Sequence, residues 1–325
     1  MAAVDASRQP AVSGTAFALR EAWPWAVFVR LAGIGDQLGY RAVFLPEIVG
    51  RDAIAALTGL AGATSQLLLG TGVVPMTSRR PALTAMGIAT VQERSGGRAI
   101  LGLGTGSPRA GALEELEAQV LEIRSRLDAM TGPGADDAGL VLDRPVPVWI
   151  AALGPRAVAA AGRIADGVLL NWCTPERVAE ARLRLEEAAL DAGRDPAAIT
   201  VAAYIRAAVA DGPAAGAGAR RALAAAAGEY ANYPAYRRQF EAMGVGSAAS
   251  AAAATAVSGA SGSELGAVET LLVRVCLTGD AAQARARLEA YRQAGCDLPV
   301  VYPVPHGADG QASVVHTLRS LAPVG

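Results

Sequence analysis

Three stretches of the chain join an apolar run to glycine at the point where the run stops: Gly70-Thr-Gly-Val-Val-Pro75, Gly102-Leu-Gly-Thr-Gly-Ser107 and Val148-Trp-Ile-Ala-Ala-Leu-Gly-Pro-Arg156. Each reads as a strand leaving a sheet. In parallel α/β proteins ligands gather at the carboxyl ends of strands, and glycine there lets main chain approach a flat or phosphorylated molecule closely. In the first stretch Gly72, Val73 and Pro75 either offer bare main chain to a planar ring or form a tight strand-to-helix turn. In the second, Gly104 and Gly106 alternate with Thr105 and Ser107, whose hydroxyls suit a ring edge or a phosphate, or else cap the next helix. That run lacks the third glycine of a dinucleotide fingerprint. In the third, a proline at the first helical position and Arg156 follow Gly154. Free N–H groups, a helix dipole and a guanidinium then converge on an anion, or the motif is plain helix punctuation beside a solvated side chain.

Two carboxylates stand near the same end of the predicted strands. Glu47 closes Ala42-Val-Phe-Leu-Pro-Glu47, and Glu21 precedes Trp23 and Trp25. Either carboxylate suits substrate orientation or proton relay. The structural alternatives are a helix-start charge for Glu47, near Asp52, and ordinary packing for the tryptophans.

Composition narrows the chemistry further. No lysine occurs in the 325 residues, so all 29 basic residues are arginine. That excludes Schiff-base chemistry and the lysine of a phosphate-binding P-loop. With only His306 and His316, zinc sites and nucleophile–histidine pairs are poorly supplied, and no metal site is expected. Difficult chemistry must therefore come from a bound cofactor. A net charge of −1 offers no general attraction to nucleic acid or to an anionic membrane. No apolar run is long enough to span a bilayer, and residues 1–13 read as a tail without a secretory signal. Cys173, Cys276 and Cys296 are scattered, which suits buried thiols in a reducing cytoplasm.

The elements that must position these residues alternate along the chain. Eight strands are predicted: 16–20, 42–46, 67–74, 99–103, 146–151, 167–171, 200–207 and 298–302. Between them, segments 26–39, 52–63, 81–94, 112–130, 156–165, 175–192 and 281–294 carry apolar residues at helical spacing. Asp52, Asp280 and Thr174-Pro175-Glu176 supply start signals. This is the pattern of a (β/α)8 barrel in one domain over residues 14–325. Residues 132–142 read as a surface loop or short hairpin. An alanine-rich helical insertion, about 211–270, carries Tyr230, Tyr233, Tyr236 and Phe240 and stands between the seventh and eighth strands. Residues 244–262 are its expected mobile part.

Together, Gly70-Thr-Gly-Val-Val-Pro, Ser95-Gly-Gly-Arg-Ala-Ile-Leu-Gly-Leu-Gly, Pro147-Val-Trp-Ile-Ala-Ala-Leu-Gly-Pro, Ala165-Asp-Gly-Val-Leu-Leu-Asn-Trp, Cys276-Leu-Thr-Gly-Asp and Ala294-Gly-Cys-Asp-Leu-Pro-Val-Val-Tyr-Pro resemble the bacterial luciferase-like superfamily. They are most similar to its branch using the deazaflavin coenzyme F420, including methylene-tetrahydromethanopterin reductases. The resemblance implies a TIM barrel, a flavin or deazaflavin across the strand ends, and a non-proline cis peptide at Gly72–Val73. It implies a phosphate-binding loop at Ala152, Leu153, Gly154, Arg156 and Ala157, and often a homodimer. Sugar-phosphate dehydrogenases of the superfamily carry a histidine and a glutamate where Glu47 and Ser107 stand here, so that activity is not expected. The resulting expectation is an F420-dependent reductase acting on a C=C, C=N or C=O bond of a small or peptide-borne substrate. The alternatives are an FMN-dependent monooxygenase and a cofactor-binding homologue without catalysis.

Overall fold

Predominantly apolar runs form strands buried on both faces, with helices supplying the outer cover. A computed structural model of the protein describes residues 11–20, 23–48, 50–107, 109–131, 139–258 and 262–323. Its first half runs β1 (Ala16–Ala18), α1 (Trp25–Gln37), β2 (Ala42–Leu45), α2 (Ala53–Ala61), β3 (Leu68–Thr71), β4 (Val74–Pro75), α3 (Pro81–Arg94), β5 (Ala99–Gly104) and α4 (Ala112–Ala129). It continues through β6 (Val148–Ala152), α5 (Pro155–Ile164), β7 (Gly167–Asn171), α6 (Pro175–Asp191) and β8 (Thr200–Val209). Then come α7 (Pro213–Ala231), α8 (Pro234–Ala242), α9 (Gly246–Ser258), α10 (Gly262–Val275), β9 (Cys276–Gly279), α11 (Ala281–Gln293), β10 (Leu298–Pro303) and α12 (Gly310–Ser320).

The strand order β1-β2-β3-β5-β6-β7-β8-β10, all parallel, closes on itself through β10 and β1, where Ala16 faces Val300. The fold is therefore a (β/α)8 TIM barrel. Two apolar clusters hold it together. One, between strands and helices, contains Leu31, Leu57, Ile88 and Leu185. The other fills the barrel with Phe44, Ile100, Trp149, Leu169, Tyr204, Val300 and Tyr302.

Asp52 caps α2 through Ala55 N, Thr174 caps α6 through Arg177 N, and Asp280 opens α11 with a reciprocal capping box to Gln283. Ser107 does not cap α4: the preceding residue there is Gly111, at φ +74°, with no side-chain cap. The predicted third strand divides in two, because the chain turns at a cis peptide between Gly72 and Val73 before β4 pairs with β5. Two elements were not anticipated. α12 packs behind β8, and the short β9 extends the upper end of β8, with Arg206 facing Cys276. Within 244–262 the chain carries α9 over 246–258, whose Ala248, Ala249 and Ala252 are buried, and residues 259–261 lie outside the described residues. Most of the expected loop or hairpin at 132–142 lies outside the described residues, but Leu142 is buried and its N–H donates to Met130 O.

Candidate active site at the carboxyl ends of the strands

The glycines of the strand exits are needed mainly by the chain itself. A Cβ on Gly72 would lie 1.6 Å from the Tyr204 hydroxyl, which donates to Gly72 O at 3.0 Å. A Cβ on Gly102 would lie 2.3 Å from Thr71 O, and one on Gly104 would lie 2.7 Å from Val73 Cγ2. These positions are not bare floor, as the sequence suggested. They are hollows filled by Tyr204, Thr71 and Val73. What reaches the mouth is the part-exposed Val73 side chain, seated over Gly102 and Gly104. Beside it, Pro75 pairs with Gly104, and Thr105, Gly106 and Ser107 rise into solvent.

One strand further on, Ala152 at the end of β6 and Leu153 just beyond it line a cavity of about 390 Å³ with Pro155, Asn171, Arg177, Arg184 and Gln239. Gly154 precedes α5 with nothing within 4 Å of its Cβ direction. Proline at the first helical position has no N–H to lose, so the Arg156 and Ala157 amides are the open donors of the helix start. The Arg156 guanidinium itself turns away. Its side chain is 78% exposed and its Nη2 donates to Glu114 on α4 at 2.6 Å. At this turn the backbone amides are open while the guanidinium is engaged with α4.

Glu47 is fully engaged. Its carboxylate accepts from Ser78 Oγ at 2.8 Å, from Arg79 and from Ala53 N at 3.3 Å, while Arg79 also binds Asp52. This clasp ties the β2–α2 and β4–α3 loops together. Glu21 lies outside the described residues. Trp25 packs on Gly59 of α2 and under Arg51, and the partly buried Trp23 packs against the core.

Sequence reasoning missed Arg206, although a lone charge in Thr-Val-Ala-Ala-Tyr-Ile-Arg-Ala-Ala-Val was a visible signal. It lies at the mouth among Trp172, Tyr204, Tyr230 and Tyr302 and donates to Asn171 Oδ1. The insertion closes over it, for Asn171 Nδ2 donates to Tyr236 on α8 and Arg20 pairs with Glu229 on α7 at 2.8 Å. The Glu229 bond lifts the Arg20 pKa further above its ordinary value. Burial raises the phenols of Tyr204 and Tyr236 above theirs, so both stay protonated hydrogen-bond donors or acceptors. Among the described residues no cluster of three or more His, Cys, Asp or Glu could hold a metal, and no helix is long and apolar enough to cross a membrane.

The family profile described as luciferase-like monooxygenase matches residues 7–298. The chain belongs to that family. Among curated relatives it is 34% identical over 192 residues to a 5,10-methylenetetrahydromethanopterin reductase of Methanolobus tindarius, covering 53% of this chain and 58% of that protein. It is 32% identical over 202 residues to a phthiodiolone/phenolphthiodiolone dimycocerosates ketoreductase of Mycobacterium tuberculosis, covering 55% and 53%. The chain thus spans little more than half the length of the curated relatives it matches. The solved coenzyme F420-dependent tetrahydromethanopterin reductase of Methanopyrus kandleri shares the fold, with a TM-score of 0.76, 24% identity and coverage of 95% of this chain and 97% of that one.

Proposed function

We propose that the protein is an F420-dependent oxidoreductase that moves a hydride between the reduced deazaflavin and an activated C=C, C=N or C=O bond of a small or peptide-borne substrate. One juxtaposition carries this reading: the apolar, part-exposed Val73, seated over Gly102 and Gly104 of β5, and the open start of α5 after β6 stand at the same end of the barrel, on either side of β5. The residues present fit such a cofactor. Val73, Pro75, Gly104, Thr105, Gly106 and Ser107 would hold the ring system. Ala152, Leu153 and Gly154, with the Arg156 and Ala157 amides, would hold its anionic tail. Curated relatives named as reductases support the reductase chemistry.

The bound deazaflavin supplies the hydride, and the protein supplies position and field. Hydride addition leaves an anion on the substrate that takes a proton from water to complete the reduction, and the hydride itself calls for neither lysine nor metal. The test is anaerobic single-turnover oxidation of reduced F420 by a panel of conjugated and simple carbonyls and imines. Oxidation at a rate above the protein-free reaction supports the reading, and its absence across the panel contradicts it. The family description favours a second reading, an FMN-dependent monooxygenase. Oxygen uptake with reduced FMN, in place of anaerobic F420 oxidation, is the outcome that selects it.

A further inference from the structure

Arg206 shares the inner face of β8 with Ala202 and Tyr204, two members of the barrel-interior cluster, and stands in register with Tyr302 on β10. It is therefore aimed into the barrel near the strands' carboxyl ends, where it is only 2% exposed. Its guanidinium carbon lies 4.0 Å from the centre of the Tyr302 ring, 4.7 Å from Trp172 and 5.0 Å from Tyr230. Among the described residues no carboxylate pairs with it, and its hydrogen bonding is confined to Nη1, which donates to Asn171 Oδ1 at 2.5 Å.

Other part-buried arginines are treated differently. Arg98 donates to the carbonyls of Ser95, Leu67, Ala61 and Thr64 and is spent as a structural knot. A cation taken out of water without such partners is costly, and ring faces return only part of the loss. Rings use the charge but leave edge donors unused. The Nε–Nη2 edge is the geometry that grips a carboxylate with two parallel bonds. Trp172 adds a second sign of a built site. It is buried with φ at +50°, a conformation a bulky residue keeps only where its surroundings enforce it, and that backbone sets its ring beside Arg206.

We infer that Arg206, steadied by Asn171, is the binding site for the carboxylate of a small, flat organic substrate, whose body lies among Tyr302, Trp172 and Tyr230. Tyr230 and Tyr236 belong to the insertion, so the ligand enters by displacing α7 and α8 from this end of the barrel. The inference deepens the reductase reading by naming its substrate class, and it is tested without the cofactor.

The experiment is calorimetric titration of the cofactor-free full chain with sodium benzoate and with benzamide, its neutral counterpart of the same shape. Benzoate is expected to bind saturably, at least tenfold more tightly than benzamide. Arg206→Gln is expected to weaken benzoate at least tenfold and leave benzamide unchanged. Asn171→Asp, nearly isosteric, sets a carboxylate of the chain's own against the guanidinium and is expected to weaken benzoate to the same degree. It decides the matter if Arg206→Gln does not fold, as judged by circular dichroism. Equal binding of both probes, no benzoate binding at tens of millimolar, or undiminished benzoate binding by the folded variants overturns the inference. Failure of F420 to bind in its own titration leaves this result standing.

Discussion

At the scale of single residues, the glycines of the strand exits show how one signal carries two meanings. Gly72 and Gly104 were legible as positions where main chain stands close to something without a side chain between. Which neighbour fills the space was not, because Tyr204 and Val73 arrive from other strands and only the closed barrel brings them together. Gly72→Ala is expected to cost about 1–3 kcal/mol, the usual range for overpacking a tight interior. The same substitution in a Tyr204→Phe background, where the clashing hydroxyl is gone, is expected to cost at least about 0.5 kcal/mol less. Chemical denaturation of the four proteins measures the coupling, and additive losses contradict this packing.

His306 gives a residue-scale prediction in pH. Burial holds its pKa below the ordinary 6.5, assisted by the charge of His316 and opposed by a bond with Val209. Below 6.5 the unfolded chain takes up a proton that the folded one resists. This contribution is thus present above pH 6.5 and is lost as the pH falls towards the depressed folded value. The Tm of the wild type is expected to drop between pH 7 and pH 5 more steeply than that of His306→Gln. Parallel curves contradict the assignment.

At the scale of elements, local signals served best where the physics is local. Asp52, Thr174 and Asp280 satisfy the first amides of their helices from within three residues, so their roles could be read directly. β9 was not legible, since four residues with no periodicity become a strand only because β8 outruns β7 and leaves an edge to pair. The start of α5 shows both sides. Gly154-Pro155 was legible as a helix entry with free amides, but the pull of Glu114 on Arg156 comes from α4 and was not. Gly154→Asp separates the two roles of this turn. With φ at −104° and open space around it, the position accepts an aspartate cap, so stability should change by no more than about 0.5 kcal/mol. A negative charge there opposes the bound anion, so F420 affinity should fall at least tenfold. Unchanged affinity would move the anion away from α5.

At the scale of the whole molecule, strand count and alternation were enough for the barrel, because a parallel sheet buried on both faces has few ways to close. The mouth was less legible. Its polar centre depends on one arginine of β8 meeting Asn171 from β7, Tyr302 from β10 and Tyr230 from the insertion, residues up to 131 positions apart in the chain. Where the sequence promised an open floor, the molecule has a floor on the β3–β6 side and an aromatic cage around Arg206 on the β7–β10 side. We propose that a deazaflavin rests on the former. Equilibrium titration of the purified protein with F420 tests it most directly. Saturable binding in the micromolar range, weakened by Gly154→Asp, is predicted, and the absence of binding at tens of micromolar F420 would contradict it.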